Sequence, residues 1–338
     1  MTFDMDEHDS FLPLHRRDLL RLSAGAALLS LGAPAHAGTW PTRLITMVVG
    51  VAAGGQADIA ARPAALALQR VLGQTVIVEN KTGAGGAIGA SYVARSKPDG
   101  YNLLMALSAA VVLPEAERIA GHKPPYEMSD FVPIARVLAD PNLLAVRANS
   151  PYKTVQDIID AAKKRPGEIS YASSGVLGGV HLCMAMFAEA AGINLLHVPY
   201  RGGAPALTGL MTGDVAMTAL GAGPLKAYSD GGQLRVLATF GAERHPAFPD
   251  APTFKEIGLK DVEFYAWVGL FAPKGVPEEV TNRLRDAMRT VMTDPQVVNI
   301  YTKAGSPPAY LDAPAFAAYI AQDSARLLKI VEVIGKAG

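Results

Sequence analysis

With one cysteine, Cys183, in 338 residues, the chain cannot close an internal disulfide or build a multi-thiolate metal site. Leu182 to Ala185 is an apolar run around it, which suits a buried, inert thiol. Charge is also scarce: 18% of residues are charged, and 31 Lys and Arg balance 31 Asp and Glu. The longest basic run is Lys163, Lys164 and Arg165, so the electrostatic footprint of a nucleic-acid binder is missing. Gly-x-Ser-x-Gly, His-Glu-x-x-His and Tyr-x-x-x-Lys are all absent, which removes the usual signs of serine hydrolase, zinc protease and short-chain dehydrogenase chemistry. His122, His181, His197 and His245 are scattered, and no nucleophile stands next to a base in the sequence. No enzyme, cofactor or metal site is expected.

The first 37 residues read as an address. His15-Arg16-Arg17-Asp18-Leu19-Leu20-Arg21 precedes a short apolar run from Leu22 to Ala33 and a small-x-small site, Ala35-His36-Ala37. That order is a secretory signal cleaved after Ala37, and the paired Arg16 and Arg17 resemble a twin-arginine export signal. Losing Arg16, Arg17 and Arg21 together with Asp4, Asp6, Glu7, Asp9 and Asp18 leaves the mature chain close to neutral. No later apolar run reaches membrane-spanning length without a charge.

What is present is an alternation. Strand runs at 44–49, 75–79 and 103–107 interleave with helical spacing at 59–72 and 87–95, and a Pro-rich irregular stretch covers 114–126. The pattern restarts with strands at 143–146, 169–172, 195–198 and 215–220 and helices at 154–164, 180–191 and 204–211. Further strands follow at 234–240 and 268–272, then helices at 278–293 and 314–333. This predicts an α/β chain of two lobes, each a mostly parallel sheet flanked by helices, with a ligand cleft at the carboxyl ends of the strands. We assign 38–130 to lobe 1 with a returning segment from about 240–270, 131–240 to lobe 2, and 271–338 to closing helices.

Three strand-to-helix turns carry the chemistry. Ala52 to Asp58 and Ser173 to Gly179 place glycines where free helix-start amides favour an anion, and Ser173 and Ser174 add hydroxyl donors. His197-Val198-Pro199-Tyr200-Arg201-Gly202-Gly203-Ala204-Pro205 sets an aromatic and a guanidinium before another helix start. Asp58 is either a helix cap or a ligand contact. A rival turn, Thr82 to Gly89, lacks the full spacing of a dinucleotide site. An exported oxidoreductase using the same cleft is the alternative.

Gly54 to Arg62, Val78 to Gly89, Lys97-Pro98-Asp99-Gly100-Tyr101, His197 to Gly202 and Phe248 to Thr253, taken in that order, resemble the substrate-binding proteins of tripartite tricarboxylate transporters, the Bug family. The resemblance runs from about Trp40 into the last helices. It implies a type II-like periplasmic-binding-protein fold in a monomeric, exported receptor that closes around a small carboxylate and delivers it to membrane transporter components. It also implies that the ligand is held by Ala53, Gly54, Gly55, Gln56 and Asp58, by Ser173, Ser174, Gly178 and Gly179, and by Tyr200, Arg201, Gly202 and Ala204. Ser108, after the third strand, is a further lining candidate. Val49-Gly50-Val51 replaces a bulkier family wall, implying room for a larger ligand. Ala216 after Val215, where family members commonly carry Asp, favours a ligand without an amine.

Overall fold

The structure is a computed structural model, and it describes residues 40–119 and 121–337. The expected signal segment and its cleavage site lie outside them. Ten strands and ten α-helices follow in chain order among the described residues. The first lobe opens with β1 (Ile45–Val49), α1 (Gln56–Leu72), β2 (Val76–Asn80), α2 (Ala87–Ala94), β3 (Asn102–Leu107) and α3 (Leu113–Ile119), then β4 (Phe131–Pro141). Next come β5 (Leu143–Arg147), α4 (Val155–Lys164), β6 (Ser170–Ser173), α5 (Gly179–Ala191), β7 (Leu196–Pro199), α6 (Gly203–Thr212), β8 (Met217–Leu220), α7 (Ala222–Asp230) and β9 (Leu234–Thr239). The chain ends with β10 (Tyr265–Pro273), α8 (Glu278–Thr293), α9 (Pro295–Lys303) and α10 (Ala313–Ala337).

Local chemistry explains the main elements. In β1, Ile45, Met47, Val48 and Val49 are buried on both faces, as in a central strand covered by helices. Helix α1 buries Ala60, Ala61, Ala64 and Leu68 along one stripe and stops at Gly73, which takes the left-handed conformation at φ 69°. Thr154 and Asp157 form a reciprocal capping box that starts α4.

The strands form two five-stranded sheets, in the orders β2-β1-β3-β10-β4 and β7-β6-β8-β5-β9. The α/β, two-lobed expectation holds, and each sheet is mostly parallel, with four of its five strands running one way and one, β10 or β5, running against them. Strands β1, β2 and β3 run parallel, while β10 is antiparallel to both β3 and β4. In the second sheet β6, β7 and β8 run parallel, and β5 is antiparallel to both β8 and β9. The cause is the path of the chain: β4 and β9 each end at the cleft, so β5 and β10 begin there and run away from it.

Both connections therefore cross at one place. Asn142 N–H donates to Phe264 O (3.3 Å), Phe240 N–H to Asn142 O (2.8 Å) and Phe264 N–H to Phe240 O (2.8 Å). These bonds tie the two crossings into a short hinge. Strand β4, within the residue range assigned to the second lobe, pairs in the first sheet, so the change of sheet falls at Asn142. Of the closing helices, α8 packs on α1 and β4, and α10 packs on β4 and on α5, touching both lobes. Trp267 Nε1–H donates to Asp323 Oδ2 (2.8 Å) and fixes α10 to β10.

Candidate functional site

Four helices point their first turns into the cleft between the sheets. Their N-cap residues are Gly55 (α1), Gly178 (α5), Gly202 (α6) and Gly221 (α7), and none of the four makes a side-chain cap hydrogen bond. The amides of a helix's first turn have no partner within the helix and carry the positive end of its dipole. They converge on a cavity of about 40 Å³ lined by Gly55, Gln56, Ser108, Ser174, Gly179, Gly203 and Gly221, with Asn142 at the hinge. Apolar walls come from Val51, Leu107, Val180, Leu220, Pro224 and Ala266. No charged side chain lines it. The chamber is narrow, and Val51 forms part of its wall.

Ser108 is the most telling polar group. It is 1% exposed, and its Oγ has no hydrogen-bond partner among the described residues. Across the cleft a Cβ on Gly179 would stand 3.8 Å from that oxygen and 3.1 Å from Phe264 Cζ. A buried hydroxyl left without a partner costs free energy, and this one lines the cavity that the helix starts surround. Gln56 is also buried, donating from Nε2 to Asp140 Oδ2 (3.2 Å). Burial pushes the Asp140 carboxyl up to about 6.

The other candidates divide between positioning and lobe contact. Asp58 does not reach the cavity. Its Oδ2 accepts from Gly54 N–H (3.0 Å) and Arg62 Nε (2.8 Å), and its Oδ1 accepts from Arg62 (2.9 Å) and Asn80 (3.0 Å). Burial alone would raise its pKa, but the hydrogen bonds from Arg62, Gly54 and Asn80 prevail and hold it below the usual carboxylate range. Nor is it the N-cap, which is Gly55; Asp58 reaches back from the third helical residue. Ser173 is buried against its own strand, with Oγ accepting from Gly175 N–H (3.2 Å) and lying 2.6 Å from His197 Nε2.

Gly54 approaches Ala204, and a Cβ on Gly202 would stand 3.1 Å from Ala52 N. These contacts close the lobes on one side. Tyr200 and Arg201 line the outer cleft beside Glu117, and Ala53 is exposed on the turn. Gly85 of the supposed dinucleotide turn meets Gly175 of the second lobe, where a Cβ on Gly175 would lie 3.4 Å from Gly85 N. That turn serves as a lobe contact.

One expectation is overturned. The sequence shows no nucleophile beside a base, yet Ser173 and His197 are bonded, because β6 and β7 are neighbours in the sheet. The serine is fully buried and no carboxylate backs the imidazole among the described residues, so the pair braces the turn. Cys183 is buried, and burial pushes its thiol up to about 12, in keeping with an inert thiol. Sequence reasoning missed Asn142, Gly203 and Gly221. Among the described residues no group of His, Cys, Asp and Glu could hold a metal ion, and no helix is long and apolar enough to cross a membrane.

The family model described as tripartite tricarboxylate transporter family receptor matches residues 60–336. The chain belongs to this family. It is similar to the periplasmic binding protein BugD, with 33% identity over 88% of this chain and 99% of that one at a TM-score of 0.81. MatC from Rhodopseudomonas palustris with bound malate shares 27% identity over 86% of this chain and 100% of its own, at a TM-score of 0.78. An R. palustris protein with adipate, Rpa4515, shares 30% identity over 88% of this chain and 98% of its own, at a TM-score of 0.80. Receptors of this kind are periplasmic binding proteins.

Proposed function

We propose that this chain is an exported receptor that binds a small organic carboxylate between its lobes, unchanged, and hands it to the membrane components of a tripartite transporter. The observation that carries the reading is the convergence of four uncapped helix starts on a cavity without charged side chains, with the unpartnered Ser108 hydroxyl beside them. One carboxylate of the ligand sits on the helix-start amides, with Ser108 and Ser174 donating. Adipate and malate on two relatives fit this chemistry. Catalysis is not part of the reading.

No carboxylate lines the cavity to meet an ammonium, since Asp58 is held by Arg62 and Asp140 lies behind Gln56. The ligand is therefore a carboxylate without an amine. The mature protein is a monomer in the periplasm beginning at Gly38. Calorimetry with adipate, malate, succinate and aspartate, followed by mass spectrometry of the recovered ligand, tests the reading. Saturable binding of at least one amine-free carboxylate, returned unchanged, is expected. Absence of binding to all of them, or their conversion, would overturn it.

A further inference from the structure

The anion turns of the two lobes are built alike. In the first, Gly54 precedes the N-cap, takes a left-handed φ of 79°, and donates its N–H to the third helical residue, Asp58 (3.0 Å). In the second, Leu177 precedes the N-cap, takes φ 57°, and donates its N–H to the third helical residue, His181, at Nδ1 (3.0 Å). A capping-box side chain at this position reaches back in a similar way to an amide at the helix entry. Leucine is costly in that left-handed region, so something must hold it there.

From this geometry we infer that His181 is the positioning residue of the second lobe's anion turn, its unprotonated Nδ1 holding Leu177 so that the helix-start amides after Gly178 face the cavity. The inference rests on the carboxylate reading above for its purpose, though not for its geometry. The two lobes differ in charge. Asp58 is matched by Arg62 and Asn80, whereas neither imidazole of the second lobe has an ion-pair partner among the described residues. A carboxylate at position 181 would leave an unmatched negative charge beside an anion site, so a neutral acceptor is needed.

The ring is held firmly. It stacks on His197 with centroids 3.9 Å apart and planes 10° apart, and His197 stacks on Tyr171 at 5.1 Å. His197 in turn bonds Ser173, whose Oγ holds Gly175 N–H. The two histidines thus brace the turn at Gly175 and at Leu177. The titratable groups facing them are Tyr171 on β6 and, acting on Tyr171, Cys183 on α5, both uncharged at neutral pH. Burial, with His197 adding to it, pushes His181 down to about 4, which keeps Nδ1 free.

The test uses the full chain labelled with 15N-histidine, and three variants checked for fold by circular dichroism. Nitrogen shifts at pH 7 should show His181 neutral with its proton on Nε2. His181→Ala should speed hydrogen exchange of the Leu177 amide and weaken adipate or malate binding, each by about tenfold, the scale of one lost hydrogen bond. His181→Gln supplies a neutral acceptor and should restore both. His181→Asp should keep Leu177 protected yet bind the probe more weakly than His181→Gln. Unchanged Leu177 exchange in His181→Ala, or no advantage of Gln over Ala, would overturn the inference. If the wild type binds neither probe, the carboxylate reading fails, while Leu177 exchange still decides the role of His181.

Discussion

Replacing Ser108 by Ala should move stability and binding in opposite directions. In this structure the Ser108 hydroxyl is 1% exposed and has no hydrogen-bond partner among the described residues. Leaving a buried donor unsatisfied costs about 1–3 kcal/mol, so removing it should stabilise the free protein by a value near the lower end of that range. A gain of 1 kcal/mol moves the melting temperature by about 2–4 °C in a domain of 150–250 residues, and less in this longer chain. Ala also suits the short helical turn that Ser108 opens. In the proposed complex the same hydroxyl would donate to a carboxylate. A hydrogen bond to a charged group is worth about 1.5–3 kcal/mol, so its loss should weaken binding about 10- to 150-fold.

Differential scanning calorimetry without ligand and isothermal titration with adipate or malate read the two effects separately. A merely structural serine would give a lower melting temperature and unchanged affinity. That pair of results would refute the reasoning, because it would mean that the hydroxyl has a partner in the free protein and none in the complex.

Gly202 sits at φ 126° and ψ 174°, a region open essentially to glycine alone, and a side chain there would press on Ala52 across the cleft. Gly202→Val should therefore strain this turn and fail to close, seen, once circular dichroism shows the variant folded, as an unchanged radius of gyration in small-angle scattering when adipate is added; a normal decrease would count against the contact. Asp140, raised from 3.8 to about 6 by burial, keeps its proton in the folded state where the unfolded chain has lost it, so its contribution to stability falls as pH rises from about 4 to 6. Asp140→Asn should abolish that loss and stabilise the protein above pH 6 by about 3 kcal/mol, and equal stability of variant and wild type at pH 7.5 would contradict the assignment. Succinate should bind more tightly than aspartate, since no carboxylate in the cavity lining meets an ammonium; titration showing the reverse order would place an acidic group in the site.

The repeating strand and helix runs were legible because apolar spacing decides them. Helix α8 spans Glu278–Thr293 as its periodicity predicts, and β5, α4 and β7 lie within a residue or so of expectation. Strand β4 was not legible. Pro133 and Pro141 argue against a strand, but β4 is the edge of its sheet, with β10 as its one strand partner among the described residues and a short bridge from Arg136 to Leu311 on its other side, and on an edge a missing N–H can face away from the ladder. Helix α7 was hidden for a related reason: Gly223 and Pro224 read as a turn, yet proline is tolerated in a helix's first turn. The fourth anion turn went with it. Asn142 enters the cavity because two chain crossings meet at the hinge, and the stacked rings of His181 and His197 come from a helix and a strand. Neither arrangement leaves a local signal.

In the proposed receptor the cavity would attract an anion without a charged side chain, through the distribution of its helix starts. An arginine would bring about 2 kcal/mol of side-chain entropy to be lost on binding, whereas the amides of a helix start are already fixed by the helix behind them. Three of the four converging helices, α5, α6 and α7, belong to the second lobe, and only α1 belongs to the first. Most of the attracting dipole is therefore in place on the second lobe before the lobes meet. Closing adds the α1 start, Gln56 and Ser108 from the other side, and the glycine contacts at Gly54, Gly85, Gly175 and Gly202 let the backbones approach. In the proposed receptor the first lobe's contribution would be made only when the cleft shuts, which would couple ligand binding to closure through Ser108 and the turn that Asp58 and Arg62 hold in place.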